Sequence, residues 1–544
     1  MASPLVIALL AAVCWVMWKV FREYIVRSPL DNIPGPPRGS FWSGNTESLY
    51  ANRTGWAFHD KICDQYGPVA KIYSTFGKRS LYVYDPKALN SIMIKDEYTY
   101  SKPQWLLQSN NEIIGPGLFV AQGDQHRRQR RILNPVFSIA HMRFLTPTFY
   151  KVVHRLHEAI SAKVGGSSGE VDMVEWMSRT ALELIGQGGL GYSFDPLVAQ
   201  STNPFGVALK ALIPLVSSLH IYRVLMPYVA PYVPARVLAA FMRWVPHADA
   251  QRLRAVTAEL WAHSQHIYDT KRAALAAGDA DAVHQVGERR DLISVLIQAN
   301  DAAAEEDRLP DEEVVAQIVS MLLAATDTTS SALARIFTIL AERQDVQDKL
   351  RAEIFEAAGG GTEDIPYDQL VELPYLDAII RETMRLHPPA NFVNRETRTD
   401  IVMPLSEPIS GLDGSLISEV PVPAGTPVVV SVRGCNRNRA LWGDDALEWK
   451  PERWLRPHPA ALLDAHVPGV YANLMTFIGG PRGCIGFKFS QLEMKVALAV
   501  LLRSFRFRPS EKEIFWNLSG VSFPTVGEEG SKPMLPMKVE AIQV

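Results

Sequence analysis

Cysteine is scarce in this chain: four in 544 residues, at positions 14, 63, 435 and 484, far apart and without a CxxC pair. That excludes a disulfide framework and argues against a zinc site, and it suits a reducing, intracellular compartment. Net charge is also small, −3 at pH 7, and no basic block is long enough to serve as an electrostatic footprint for nucleic acid. The glycine run Gly359-Gly360-Gly361-Thr362 is not followed by GK[ST], so it reads as a loop and not as a phosphate cradle. Internal repeats are lacking, and no linker divides the body, whose 47% hydrophobic content can bury a large core.

Charge is missing altogether from Pro4 to Trp18, and Lys19, Arg22 and Arg27 follow. Positive charge after an apolar run is the reverse of a secretory signal and suits a signal anchor with the body on the cytoplasmic side. A cleaved leader or a helix lying in the membrane plane fits the same pattern. Ile33-Pro34-Gly35-Pro36-Pro37 cannot be helix or central strand and reads as a stiff spacer. The expected organisation is therefore a membrane anchor over 1–24, a basic and proline-rich hinge over 25–44, and a catalytic domain over 45–544. Two sequons, at Asn52 and Asn517, stay unglycosylated if that domain is cytoplasmic.

The body is mainly α with small β-sheets. Alternation from Lys71 to Tyr84 predicts a strand meander, and Pro427 to Val432 a further strand. Helical periodicity covers Gly123–Arg131, Leu145–Val164, Val171–Gly186, Val237–Leu275, Leu292–Gln298, Pro310–Ala341, Asp345–Ala358, Pro374–Leu386 and Phe487–Ser504. Ala274–Ala282 and Ala302–Asp307 read as solvated connections.

The most informative stretch is FIGGPRGCIG, Phe477 to Gly486. It sets Cys484 just before an apolar helix, whose N-terminal amides favour a thiolate. Glycines 480, 483 and 486 let backbone approach something flat. The spacing FxxGxRxCxG resembles the haem-binding loop of the cytochrome P-450 family, in which one Cys thiolate is the axial iron ligand. Further motifs follow that family's order. Ala324-Ala325-Thr326-Asp327-Thr328-Thr329 puts a carboxylate and hydroxyls inside an apolar helix, a pattern that can open the helix locally. It resembles the family's oxygen-binding groove, with Ala325 where Gly is common. Glu382 and Arg385, at i and i+3, together with Pro451-Glu452-Arg453-Trp454, resemble its Glu–Arg–Arg core lock. Gly123 to Arg131 resembles its C-helix, with His126 where many members have Trp.

The resemblance implies the cytochrome P-450 fold preceded by a single N-terminal transmembrane helix, and haem b bound with Cys484 as iron ligand. It implies Asp327 and Thr328 as the catalytic proton relay. Ala324 gives room above the haem, and Phe477 and Gly486 belong to the loop that holds it. His126, Arg130, Arg395 and Arg482 are implied as partners of the anionic propionates. Electrons come from NADPH through a membrane-bound NADPH-cytochrome P-450 reductase, docked on Arg127, Arg128, Arg131, Lys488 and Lys495. The activity implied is monooxygenation, in which dioxygen supplies one atom to an unactivated C–H bond. An intact acid–alcohol pair argues against a haem-thiolate isomerase or dehydratase, the alternative chemistry.

Apolar segments Trp105–Val120 and Phe205–Val237, with Phe392, Val393 and Val521, point to a lipophilic substrate arriving from membrane lipid. The run HRRQRRILNPVF is similar to fungal members and suggests a terpenoid or other secondary metabolite, with fatty acids or xenobiotics as the alternative. The expected setting is the endoplasmic reticulum membrane, single-pass, as a monomer.

Overall fold

A computed structural model describes residues 21–542 apart from 166–167, 199–203, 220–221, 224–232, 234–245, 278–290 and 362; before residue 21 it describes only 10, 14, 15, 17 and 18. The chain divides into two compact units, the first made of 1–103, 391–448 and 458–483, the second of 104–390, 449–457 and 484–544.

The first unit is built on a five-stranded sheet. The expected meander is there: Val69–Tyr73 pairs antiparallel with Arg79–Val83, Val69 opposite Val83. Pro427–Ser431 lies parallel to the second strand, and Phe392–Thr397 joins it antiparallel, with Val393 opposite Val430. Val69, Leu81, Val83, Val428 and Val430 have no accessible surface, because β-branched side chains fill a pleated, covered face. A separate hairpin, Ile401–Ser410 with Leu416–Val422, escapes sequence reading. Its register breaks between Pro404 and Ile409, which interrupts the alternation that announces a strand.

The second unit is a helical assembly: α1 (Gly123–Leu133), α2 (Ile139–Val164), α3 (Met173–Leu184), α4 (Pro204–Ser218), α5 (Asp311–Glu342), α6 (Pro374–Leu386) and α7 (Phe487–Ser504) position the groups discussed below. α6 and α7 have the bounds expected from sequence. Pro374 opens α6 at its first turn, where a missing N–H costs nothing. α2 begins earlier than expected, at Ile139, because Ser138 Oγ accepts from the His141 N–H. The expected helix start at Val171 is a strand instead, Ser168–Asp172, paired with Pro536–Ala541; Asp172 then caps α3. Pro310 sits at the N-cap of α5, just outside the first turn.

α5 runs unbroken through Asp327, so the expected local opening is absent. Thr326 and Thr328 hydroxyls donate to the carbonyls of Leu322 and Ala324, at 2.8 and 2.7 Å, and leave the ladder intact. Among the described residues no helix is long and apolar enough to cross a membrane. Most of the apolar run from Pro4 to Trp18 lies outside the described residues, as do most of residues 220–237 of the second apolar segment and the end, 278–282, of the connection 274–282.

Candidate active site

In the second unit, Cys484 lies three residues ahead of the start of α7, whose N-cap is Gly486. Its thiol is accessible, yet burial is the main influence on its proton affinity and pushes it up, while the Gly486 backbone amide and the Arg130 charge pull it down. A surface that faces an internal space instead of bulk water reconciles the two. Arg130, on α1, donates through Nε to Asn134 Oδ1 at 2.9 Å, and burial lowers its own proton affinity against the pull of Cys484. His126, one turn earlier, is buried.

Ala324 is exposed in the middle of α5, although Leu322 and Thr326 on either side are buried. A small side chain open to a water-sized sphere inside a mostly buried helix marks a void beside it. Asp327, one turn on, makes no side-chain hydrogen bond to the described residues, and burial raises its carboxyl to about 7, against a lowering influence from Lys210 on α4. Its surroundings form a cavity lined by Val174, Ser178, Lys210, Ser330, Val521 and Ser522 among others. Val521 therefore borders this cavity.

In the first unit, three cations gather. Arg395, on the strand Phe392–Thr397, is 6% exposed; burial first, then the charge of Arg482, lower its proton affinity to about 10 against the opposing pull of Glu97. It is no solvated surface arginine: Nη1 donates to the Asn394 carbonyl at 2.9 Å, and Nη2 lies 3.5 Å from Met93 Sδ. Lys102 is held far below the ordinary lysine range by burial and by the charges of Arg395 and Arg482. Cations that repel one another around the buried Arg395 cost free energy that an anion among them would recover. Sequence reasoning missed Lys102, a lone lysine in Ser-Lys-Pro with no motif around it.

The glycines of the loop serve a different purpose from the one expected. Gly480 has φ +67°, and a Cβ there would stand 2.2 Å from the Met93 carbonyl oxygen; one on Gly483 would stand 2.9 Å from Val470. Both are required by protein packed against them. Gly486 alone leaves its Cβ side open, with Phe137 no nearer than 4.0 Å. Phe477 packs edge-on against Tyr471 at 5.4 Å between ring centres.

Four expectations are corrected. Lys495 is buried and pairs with Asp377 at 2.9 Å, donating also to the Val371 carbonyl, so it cannot serve an electron donor. Arg127 and Arg131 are exposed but face Asp124 and Asp307, which offsets their charge. Asn517 is buried and donates to Phe515, Phe523 and Thr525, so this sequon reports nothing about topology, whereas Asn52 is exposed. Phe392 stacks on His59 at 5.2 Å and meets Tyr50 edge-on, which is core packing within its unit.

Within the second unit, an accessible thiol near Arg130 and a void beside Ala324 suit a cofactor held through sulfur; within the first, Lys102, Arg395 and Arg482 gather positive charge that suits an anion. Behind the thiolate helix, Glu382 accepts two hydrogen bonds from Arg385 at 2.8 Å, one from Trp454 at 2.9 Å and one from the Lys450 amide at 3.0 Å, with Arg453 Nε at 3.4 Å. The expected Glu–Arg–Arg lock is in place.

The family model for cytochrome P-450 matches residues 34–526. Cytochrome P-450 monooxygenase 91 of Postia placenta is 50% identical over 98% of both chains. Monooxygenase 219 of the same fungus is 48% identical over 96% of both. Ganoderic acid synthetase of Ganoderma lucidum is 46% identical over 99% of both.

Proposed function

The chain belongs to the cytochrome P-450 family, is a haem-thiolate monooxygenase of fungal type, and from that premise we propose that Cys484 is its iron ligand and a lipophilic secondary metabolite, such as a terpenoid, its substrate. One observation carries the ligand assignment: among four cysteines, Cys484 alone combines an accessible thiol, a helix N-terminus and a nearby arginine. Cys435 is buried, and burial pushes its thiol up to about 12.

Bound haem supplies the redox chemistry of dioxygen. The chain's residues do the rest. Arg130 and the N-terminal amides of α7 favour the anionic sulfur. His126, Arg130, Arg395, Arg482 and Lys102 are the proposed partners of the carboxylates. Ala324 keeps one face open. Asp327, poised near neutrality, takes a proton at its carboxylate and passes it on toward the Thr328 hydroxyl, and a group whose proton affinity matches the working pH does this best. The relative named for ganoderic acid synthesis supports a lipophilic substrate.

We place the protein on a membrane, with a reductase as electron donor. Supporting this, Phe21, Tyr24, Phe41 and Trp42 form an aromatic cluster with ring centres 5.2–6.3 Å apart, and Trp42 and Ile25 are each 68% exposed. Amphipathic rings of this kind suit the lipid–water interface.

The test is the carbon monoxide difference spectrum of the reduced protein. Wild type shows the red-shifted thiolate band, and Cys484→Ala loses it. Retention of the band in the variant refutes the assignment. NADPH-dependent turnover of a terpenoid panel then separates monooxygenation from isomerisation.

A further inference from the structure

Helix α1 presents three faces, because successive residues turn by about 100°. His126 and Arg130, at i and i+4, lie on one; Arg127 and Arg131, paired with Asp124 and Asp307, lie on the next. Gln125, Arg128 and Gln129, at i, i+3 and i+4, make up the third, and all three end on one carboxylate, that of Glu313 on α5. Gln125 Nε2 donates to its Oε1 at 3.0 Å and Arg128 Nη2 to the same oxygen at 3.3 Å, while Gln129 Nε2 donates to Oε2 at 2.7 Å. A carboxylate offers only acceptors, and here it meets three donors. Glu313 is buried and Gln129 has no accessible surface, so these bonds lie largely out of reach of water. A glutamate in the first turn of a helix is ordinarily a solvated charge set against the helix dipole. Asp311 and Glu312 are exposed and serve that purpose, whereas Glu313 turns inward. The segment before α1 joins the same group. Gln129 Nε2 also donates to the Pro116 carbonyl at 2.7 Å; Gln317, one turn along α5, accepts from the Leu118 amide at 3.0 Å and donates to the Glu313 carbonyl at 3.1 Å.

We propose that Glu313 is the positioning residue that fixes how α1 is turned about its own axis, and with it the aim of Arg130 at the cofactor site. The reason is geometric. A helix held at one point can roll, but three donors spread over one turn and converging on one buried carboxylate prevent it. With Gln125, Arg128 and Gln129 held, the face of His126 and Arg130 lies about a third of a turn away. There the Arg130 charge reaches Cys484. The same contacts take Arg128 out of the outward-facing set expected to meet an electron donor, since it is half-buried and its charge is matched from within.

The consequence for the cofactor rests on the role proposed for Arg130, but the hold on α1 is measured separately. In the holoenzyme, Glu313→Gln keeps the shape of the side chain, removes its charge and leaves Arg128 unmatched. Amide hydrogen exchange along α1 should rise about tenfold, with α6 and α7 unchanged. Adding Arg128→Met should restore slow exchange, because both glutamines can turn their amides to suit the new side chain and no unmatched cation remains. The rate at which haem passes from the holoenzyme to excess haem-free myoglobin should rise about fivefold in Glu313→Gln and in Arg130→Met, and the double variant should be no faster than Arg130→Met alone. Exchange of α1 unmoved by Glu313→Gln overturns the proposal, even where Arg130→Met loosens haem. A rise spread evenly over all helices also overturns it, because it reports a loss of overall stability. So does an effect of Glu313→Gln on haem loss that Arg130→Met leaves undiminished. Faster exchange confined to α1, with haem loss unaltered in either variant, upholds the hold of Glu313 on α1 and refutes the cofactor role of Arg130. Should Glu313→Gln fail to retain haem, Gln125→Met, which removes one of the three donors, carries the same comparison.

Discussion

Arg385 and Glu382, one turn apart on α6, share two hydrogen bonds of 2.8 Å, and neither side chain has any accessible surface. Water cannot take over either charge. Truncation of one partner leaves the other buried and uncompensated, which typically costs 3–5 kcal/mol, roughly a third or more of the stability of a typical folded domain. Arg385→Ala should therefore lower the unfolding midpoint sharply, and Arg385→Lys should rescue only part of it, because an ammonium cannot reproduce the two-pronged geometry. Denaturant unfolding of the three proteins checks this. Equal midpoints would mean that the pair contributes nothing net.

His59 offers a pH dependence with a definite sign. Burial, aided by Arg433, holds its imidazole down at about 4, and Asp60 and the Leu49 carbonyl pull the other way. Nε2 donates to Leu49 O at 3.1 Å, so Nδ1 accepts from the Tyr82 hydroxyl at 2.8 Å, and the neutral ring is the one that fits. Between pH 6.5 and 4 the unfolded chain binds this proton and the folded one does not, so stability falls as pH is lowered through that window, by about 3 kcal/mol in all. Above 6.5 the contribution is complete. His59→Gln, with an amide that can donate and accept in the same place, should flatten the acid limb of the stability curve between pH 6.5 and 4. An unchanged limb would show that another group controls it.

What could be read from the sequence follows the range of the forces involved. The loop around Cys484 and the pair Glu382–Arg385 are local, and their chemistry is written within a few residues. α6 and α7 were legible because Pro374 and the glycine at 486 mark their starts. Lys495 misled because a lysine on a helix is normally solvated, yet α7 is covered on nearly every side and this one reaches Asp377 on α6. Lys102 and Lys210 carried no signal at all. Each acquires meaning from groups hundreds of residues away or on other helices, Arg395 and Arg482 for the first, Asp327 for the second, and only the packed chain brings those together. The hairpin of 401–422 was hidden for the opposite reason, since its strands carry prolines and charges that break the usual alternation.

Arg395 supplies a test that distinguishes a cofactor cradle from a structural cluster. Arg482 depresses the proton affinity of Lys102 and of Arg395, Arg395 depresses that of Lys102, and Glu97 is the opposing charge that reaches Arg395. Removing the Arg395 charge relieves that repulsion in the haem-free protein and weakens the attraction for an anionic cofactor, so a single substitution should act with opposite sign on the two states. Arg395→Met keeps the length and apolar volume of the stem and removes the charge. The haem-free protein should unfold at the same or a higher temperature than wild type, while the affinity for haem should fall about tenfold or more, equivalent to roughly 1.4 kcal/mol. Calorimetric unfolding of the haem-free form and haem titration by absorbance measure the two effects separately. A variant destabilised in both states would assign Arg395 to the fold through its contacts with Asn394 and Met93. Stability gained without haem and affinity lost with it would assign the cluster to the cofactor's carboxylates.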